Sequence, residues 1–298
     1  GKYGFAQYGP EIPGGGTTWP GIIARNPFTN LTEPYTGLVP VDDFIEDVMT
    51  PQMEILAYEY ETEMLWCDAG ASNGTAAFAE RWWNWARANN RDVAINSRCG
   101  TALVNDFDTP EYATFSTAQR RKWESNMGMD PYSYGFNRAT PDSAYMNATT
   151  LISSLVDMVS KNGNLLLDIG PRADGSIAQP EIDALQEAGK WLATNGEAIY
   201  NTTYWFKAAE VRDARTDVRF TQTTDAFYIT SLQAPVNGTL EFRAALPILP
   251  GDEIDLLGVP DGGNLSWSFN EDLLRVKVDE SAVKKGSHAW VFRVKYLA

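Results

Sequence analysis

The chain has 298 residues, 44% of them apolar and 12% aromatic, which is enough to bury a large core in one or two domains and excludes a disordered or fibrous class. A formal net charge of −15 argues against nucleic acid as a partner, because a phosphate backbone demands a basic surface. No apolar run approaches the roughly 20 residues of a membrane span, so no membrane is expected either, and two cysteines are too few for a disulfide scaffold.

The opening GKYGFAQYGP lacks the basic-then-apolar layout of a signal peptide, so either a leader has been removed or the chain starts inside a longer protein. Up to about residue 205, short apolar runs (KYGFAQYG, MLWCDAG, DVAINSRCG and GNLLLDIGP) alternate with amphipathic stretches, the pattern of a parallel α/β fold. Gly14 to Gly16 fall in a loop without the lysine or helix signal of a phosphate loop. Thr50-Pro51 reads as an N-cap followed by a first-turn proline. Phe78, Trp82 and Trp85 recur at i, i+4, i+7, and Leu151, Leu155 and Met158 do nearly the same, so each stretch has one face to pack on a sheet. Asn162-Gly163 closes the second of these helices. From residue 206, VRFTQTTDAFYITSL, GTLEFRAAL, LSWSF, LLRVKVD and AWVFRVKYL alternate with period two between Gly, Pro, Asn and Asp, which predicts a small antiparallel β-sandwich.

One carboxylate stands out. Asp68 ends the apolar run MLWCD, and in parallel α/β barrels the reacting groups sit at the C-terminal ends of strands. Trp66 shares its face two residues earlier, so an apolar wall lies beside an acid, a combination that suits a sugar; the alternative is that Asp68 caps the next helix. Six N-x-[ST] sequons, at Asn30, Asn73, Asn147, Asn201, Asn237 and Asn264, exceed the roughly two or three that chance would give and point to glycosylation and a secreted or lysosome-like compartment. The single histidine, His288, and the absence of any ligand-spaced cluster argue against a metal, and no cofactor is expected.

In chain order, EILAYEYETEMLWCDAG, INSRCG, DFDTPEY, RKWESNMGMDPYSYGFN, LISSLVDMVSKNGNLLLDIGPRADGSI and GKWLATNGEAIYNTTYW resemble the α-L-fucosidases of glycoside hydrolase family 29, over about residues 50 to 205. The resemblance implies a (β/α)8-like catalytic barrel, of which residues 1–205 would be the C-terminal portion with the opening strands absent, followed by a β-sandwich accessory domain over 206–298. It implies hydrolysis of terminal α-L-fucosyl residues from glycans with retention. The family's nucleophile is the Asp of its LW-x-D strand end, here Leu65, Trp66, Cys67 and Asp68. Retention requires a second carboxyl group about 5 Å away, which protonates the leaving oxygen and then deprotonates water. DFDTPEY indicates Glu111 for this acid/base; Glu124, the Glu of KWE, is the alternative. Arg98 corresponds to the arginine of the family's N-x-R motif, which contacts the sugar near the nucleophile, and Trp66 would form part of the wall under the apolar face of fucose. Asp168 stands where the family usually has Asn, which leaves the local hydrogen bonding open.

The family's opening strands carry several histidines, a Trp and a Glu that bind fucose hydroxyls, and none matches here. The chain is therefore expected to be one piece of a nicked or processed enzyme whose N-terminal piece stays bound. The competing readings are a non-catalytic glycan-binding or structural fragment and a retaining glycosidase of another specificity. Strand parity adds one point. If Asp68 and Arg98 face inward, Cys67 and Cys99 face outward on neighbouring strands, where buried free thiols are favoured over a bridge because side chains pointing the same way fit a disulfide poorly.

Overall fold

The computed structural model describes residues 28–31, 42–68, 74–99, 104–259 and 263–296; the KYGFAQYG segment and Asn73 lie outside them. The chain divides into two compact units, Gly1–Asp106 and Phe107–Ala298, so the change of pattern near residue 205 falls inside the second.

In the first unit, helix α1 (Thr50–Glu54) continues without a break into π-helical turns on either side, Ile45–Met49 and Ile55–Glu59. Thr50 is thus not the N-cap that Thr50-Pro51 suggests. Its backbone is helical and its N–H donates to the Ile45 carbonyl. The start signal lies seven residues earlier, at Asp43, whose Oδ1 accepts from the Ile45 N–H at 3.1 Å. Pro51 has no N–H to give and crowds the carbonyl four residues back; the wider turn preceding it accommodates both defects. Strands β1 (Met64–Leu65) and β2 (Ala94–Ile95) pair in parallel, Met64 opposite Ala94 and Leu65 opposite Ile95, with helix α2 (Thr75–Ala88) between them in sequence. Phe78 and Trp82 stack at 5.8 Å on the buried face of α2 and share a core with Leu65 and Ile95. The tryptophan stripe is a packing stripe.

The second unit opens with a parallel crossover: β3 (Trp123–Gly128), helix α3 (Ala148–Ser160) and β4 (Gly163–Asp168), in register from Trp123 opposite Gly163 to Gly128 opposite Asp168. Asn162 ends α3 in the left-handed region at φ 71°, as its Asn-Gly pair suggests. Gly163 is required by packing, since a Cβ there would lie 2.5 Å from the Trp123 indole. Leu165 and Leu167 pack with Leu151, Ile152, Val156 of α3 and Trp191 of helix α4 (Gln179–Asn195). On the other side of the strand Asn164 and Leu166 are exposed, Leu166 by 40%.

The remaining strands are β5 (Thr203–Tyr204), β6 (Glu210–Arg212), β7 (Asp217–Gln222), β8 (Ala226–Ser231), β9 (Thr239–Arg243), β10 (Glu253–Leu256), β11 (Trp267–Asn270), β12 (Leu273–Lys277) and β13 (Trp290–Lys295). They form two antiparallel sheets, ordered β10-β13-β8-β7-β5 with β6 on β7, and β11-β12-β9. Phe220, Ile229 and Phe292 of the first and Leu240, Phe242 and Leu274 of the second belong to one core. Buried Arg219 joins β7 to α3: its Nε contacts Asp157 at 2.6 Å, its Nη2 contacts Glu210 at 3.2 Å, and it also pairs with Asp217. Burial alone would raise the Asp157 carboxyl, but Lys161 and Arg219 overcome that and hold it below its ordinary value.

Strand β10 escapes the period-two pattern because its Asp255 is buried. Arg293 reaches it at 2.8 Å, Lys295 at 2.7 Å and the Asn264 N–H at 2.9 Å. Burial opposes its charge, yet these partners hold the carboxyl at about 2. A folded-state value below that of the unfolded chain stabilises fully above about pH 4 and fades as pH falls towards 2. Asp255→Asn should therefore cost on the order of 2 kcal/mol at pH 7 and progressively less below pH 4, measured by urea unfolding across that range.

Candidate active site

Beyond β1 the chain runs through Trp66, Cys67 and Asp68, and a buried side chain carries the pairing one step further. Asn96, at the end of β2, donates from Nδ2 to the Cys67 carbonyl and accepts at Oδ1 from the Cys67 N–H, each at 3.0 Å. The amide thus substitutes for a paired peptide group at the strand end. The chain then reverses, with the Cys99 N–H donating to the Asn96 carbonyl at 3.2 Å. That turn carries the Arg98 guanidinium to 4.7 Å above the Trp66 ring and brings its Nη1 to 3.0 Å from Asp68 Oδ1. The three residues singled out around the strand end therefore meet. The Asp68 side chain is 78% exposed and that of Arg98 18%, and a pair this open to water contributes only about 0–1 kcal/mol.

Cys67 and Cys99 form a disulfide, with their α-carbons 4.8 Å apart. The expectation of free thiols assumed two residues side by side on strands. Cys99 instead lies on the turn, four residues past the end of β2, and the turn aims it back at Cys67. Closing a separation of 32 residues stabilises by about 3–4 kcal/mol in chain-entropy terms.

The two alternative acids belong to the second unit and lie at different levels of β3. Glu111 ends a segment running parallel to that strand, bridged at Asp108 to Trp123 and at Glu111 to Asn126. Glu124 sits at the opening of β3, where its Oε2 accepts from Asn164 Nδ2 at 2.9 Å. Two residues of rise, roughly 6–7 Å along the strand, separate the levels. Next to Glu111, Tyr112 adopts a left-handed backbone at φ 47°, a conformation costing a bulky residue of order 1–3 kcal/mol. Its N–H donates to the Asn126 carbonyl at 2.8 Å, its hydroxyl donates to the Asp130 carbonyl at 3.1 Å, and its ring lies 4.9 Å from that of Tyr134. Gly128 leaves room for the phenol, since a Cβ there would stand 2.5 Å from the hydroxyl. Nothing in PEYATF announces a left-handed tyrosine, because it runs against ordinary residue preference.

Asp168 closes β4 opposite Gly128, and its Oδ2 is buried without a hydrogen-bond partner among the described residues. Burial pushes its carboxyl up. The neutral acid this favours has both a donor and an acceptor, as an asparagine amide would. Of the sequons, Asn30, Asn147, Asn201, Asn237 and Asn264 are exposed; Asn147 also caps α3, its Oδ1 accepting from the Thr150 N–H at 3.0 Å. Among the described residues, no three His, Cys, Asp or Glu side chains gather as metal ligands, and no helix is long and apolar enough to cross a membrane.

Two substitutions probe this framework. Asn96→Ala leaves the Cys67 N–H and carbonyl unpaired and should cost about 1–3 kcal/mol in denaturant unfolding. Asp168→Asn should match the parent near pH 4. A carboxyl raised by folding loses its contribution as pH climbs through its folded value, so the asparagine variant should become the more stable of the two by pH 7.

A family model described as Alpha-L-fucosidase matches residues 24–197. The chain is 29% identical over 261 residues to plasma alpha-L-fucosidase of Pongo abelii, covering 80% of this chain and 53% of that protein. It is 29% identical over 243 residues to alpha-L-fucosidase of Dictyostelium discoideum, covering 78% and 49%. Among solved structures, Thermotoga maritima alpha-fucosidase in complex with a mechanism-based inhibitor superposes with a TM-score of 0.73 at 25% identity, over 89% of this chain and 60% of that one. The chain thus spans about half the length of the curated relatives it matches.

Proposed function

Because the chain belongs to the alpha-L-fucosidase family, we propose that it carries the nucleophile of a retaining α-L-fucosidase that removes terminal α-L-fucosyl residues from glycans. The observation that carries this reading is the grouping of Asp68, Arg98 and Trp66 at a parallel strand end. Asp68 attacks the anomeric carbon and is transiently esterified, while the acid/base protonates the departing oxygen and then takes a proton from the water that cleaves the ester. Arg98 orients the carboxylate and the sugar, and the Trp66 ring offers an apolar surface to the pyranose. Glu111 is preferred as acid/base because it lies further along the strand direction than Glu124, and barrel chemistry is built at the C-terminal ends of strands. The hydrogen bond from Asn164 favours a structural role for Glu124. The mechanism needs no cofactor.

Residues 1–205 are read as the C-terminal portion of a (β/α)8-like barrel and 206–298 as a β-sandwich accessory domain. The open sides of the parallel pairs, with Met64 52% and Leu166 40% exposed, support a barrel interior that further strands complete, supplied by an N-terminal part of the same enzyme. The exposed sequons and the disulfide favour a secreted or lysosome-like setting.

In the full-length enzyme, Asp68→Ala should abolish hydrolysis of an aryl α-L-fucoside, and azide should restore turnover with a β-fucosyl azide as product. Glu111→Ala should lower kcat/KM by about 10²–10⁴-fold on substrates with poor leaving groups, with azide trapped as the α-anomer. Full activity in Asp68→Ala would refute the assignment, and α-azide formed by Glu124→Ala instead would exchange the two glutamates.

A further inference from the structure

The covalent bond of the first unit flanks both members of the ion pair: Cys67 immediately precedes Asp68, and Cys99 immediately follows Arg98. We propose that the Cys67–Cys99 disulfide is a positioning element of the site, clamping the strand end that bears Asp68 to the turn that bears Arg98. The inference rests on the reading of Asp68 as nucleophile, and it adds a redox dependence to that chemistry.

Strands β1 and β2 are two residues long, so pairing ends before either side chain is reached. Asn96 extends it to Cys67. The reversal at residues 96–99 is closed by the backbone hydrogen bond from Cys99 to Asn96. The ion pair is solvated on the Asp68 side and gains too little to order two segments. The sulfur–sulfur bond spans the gap directly, with Cys99 buried and packed in the core shared by Leu65, Phe78 and Trp82. Its cleavage by a dithiol passes two electrons and two protons to the cystine, giving two thiols while the reductant becomes a disulfide. The thiols stay in the core, but the segments are no longer tied.

The test uses full-length enzyme in three forms: native, native treated with dithiothreitol, and Cys67→Ser/Cys99→Ser. Each is assayed well below its unfolding midpoint and shown to be folded by circular dichroism. Two quantities are read, the rate of covalent labelling by a fluorinated, slow-turnover fucosyl reagent with peptide mapping, and kcat and KM on an activated aryl fucoside. Positioning predicts labelling of Asp68 slowed roughly 10- to 100-fold in both altered forms, with kcat falling and KM changing little, and recovery on reoxidation of the reduced native enzyme. A disulfide that only stabilises would lower the unfolding midpoint and leave the labelling rate at the native value, which would overturn the proposal. Unfolding of both altered forms would also count against it, because a positioning role leaves the fold standing. A label on another acid in the native enzyme would instead refute the nucleophile assignment, a separate failure.

Discussion

The strands of a parallel sheet run the same way and bury their apolar side chains under helices, and this constraint organises both units. In each, one side of the strands is closed by helices: Leu65 and Ile95 share a core with Phe78 and Trp82 of α2, and Leu165 and Leu167 pack with residues of α3 and α4. The opposite sides carry Met64 and Leu166, which are exposed among the described residues. Parallel strands also end at one edge, so the segments that follow β1 and β2 emerge side by side. That common exit brings a carboxylate and a guanidinium from residues 30 apart in sequence into contact.

What holds the contact is not the contact itself. An ion pair with one partner in water is worth little, whereas a buried amide with two hydrogen bonds and a covalent bridge are worth far more. Asn96 and the Cys67–Cys99 bond therefore act as the frame, and Asp68 and Arg98 as the part left accessible. The same division recurs around Glu111, where Tyr112 keeps a strained backbone through two hydrogen bonds and a ring contact. Strain of this kind persists only where the surroundings over-determine it.

Asp168 shows what burial does to a carboxyl. A carboxyl buried at the end of β4 is pushed towards its neutral form, and in that form it offers the hydrogen-bonding types of an amide. Asp255 represents the opposite solution. Burial works against its charge, but two cations and a backbone N–H compensate, so it stays ionised. Identical side chains reach different protonation preferences because only one of them has cationic partners.

Much of the framework was legible in the sequence. The stripe of Phe78 and Trp82, the Asn162-Gly163 stop and the alternating strands after residue 206 depend on neighbours within a turn or a pleat, and local periodicity reports them directly. Asp68 was legible as a candidate because reacting groups of parallel α/β folds sit at strand ends, Trp66 because it shares that face, and Arg98 only through the resemblance of its NSRCG segment to the family's N-x-R motif. Tertiary structure alone decided the run of helix through Pro51, the buried Asp255 of β10, the role of Asn96, the left-handed Tyr112 and the bond between Cys67 and Cys99. Each of these turns on a partner far away in sequence or on where a chain reverses, and no local preference encodes a meeting that register and turn geometry create.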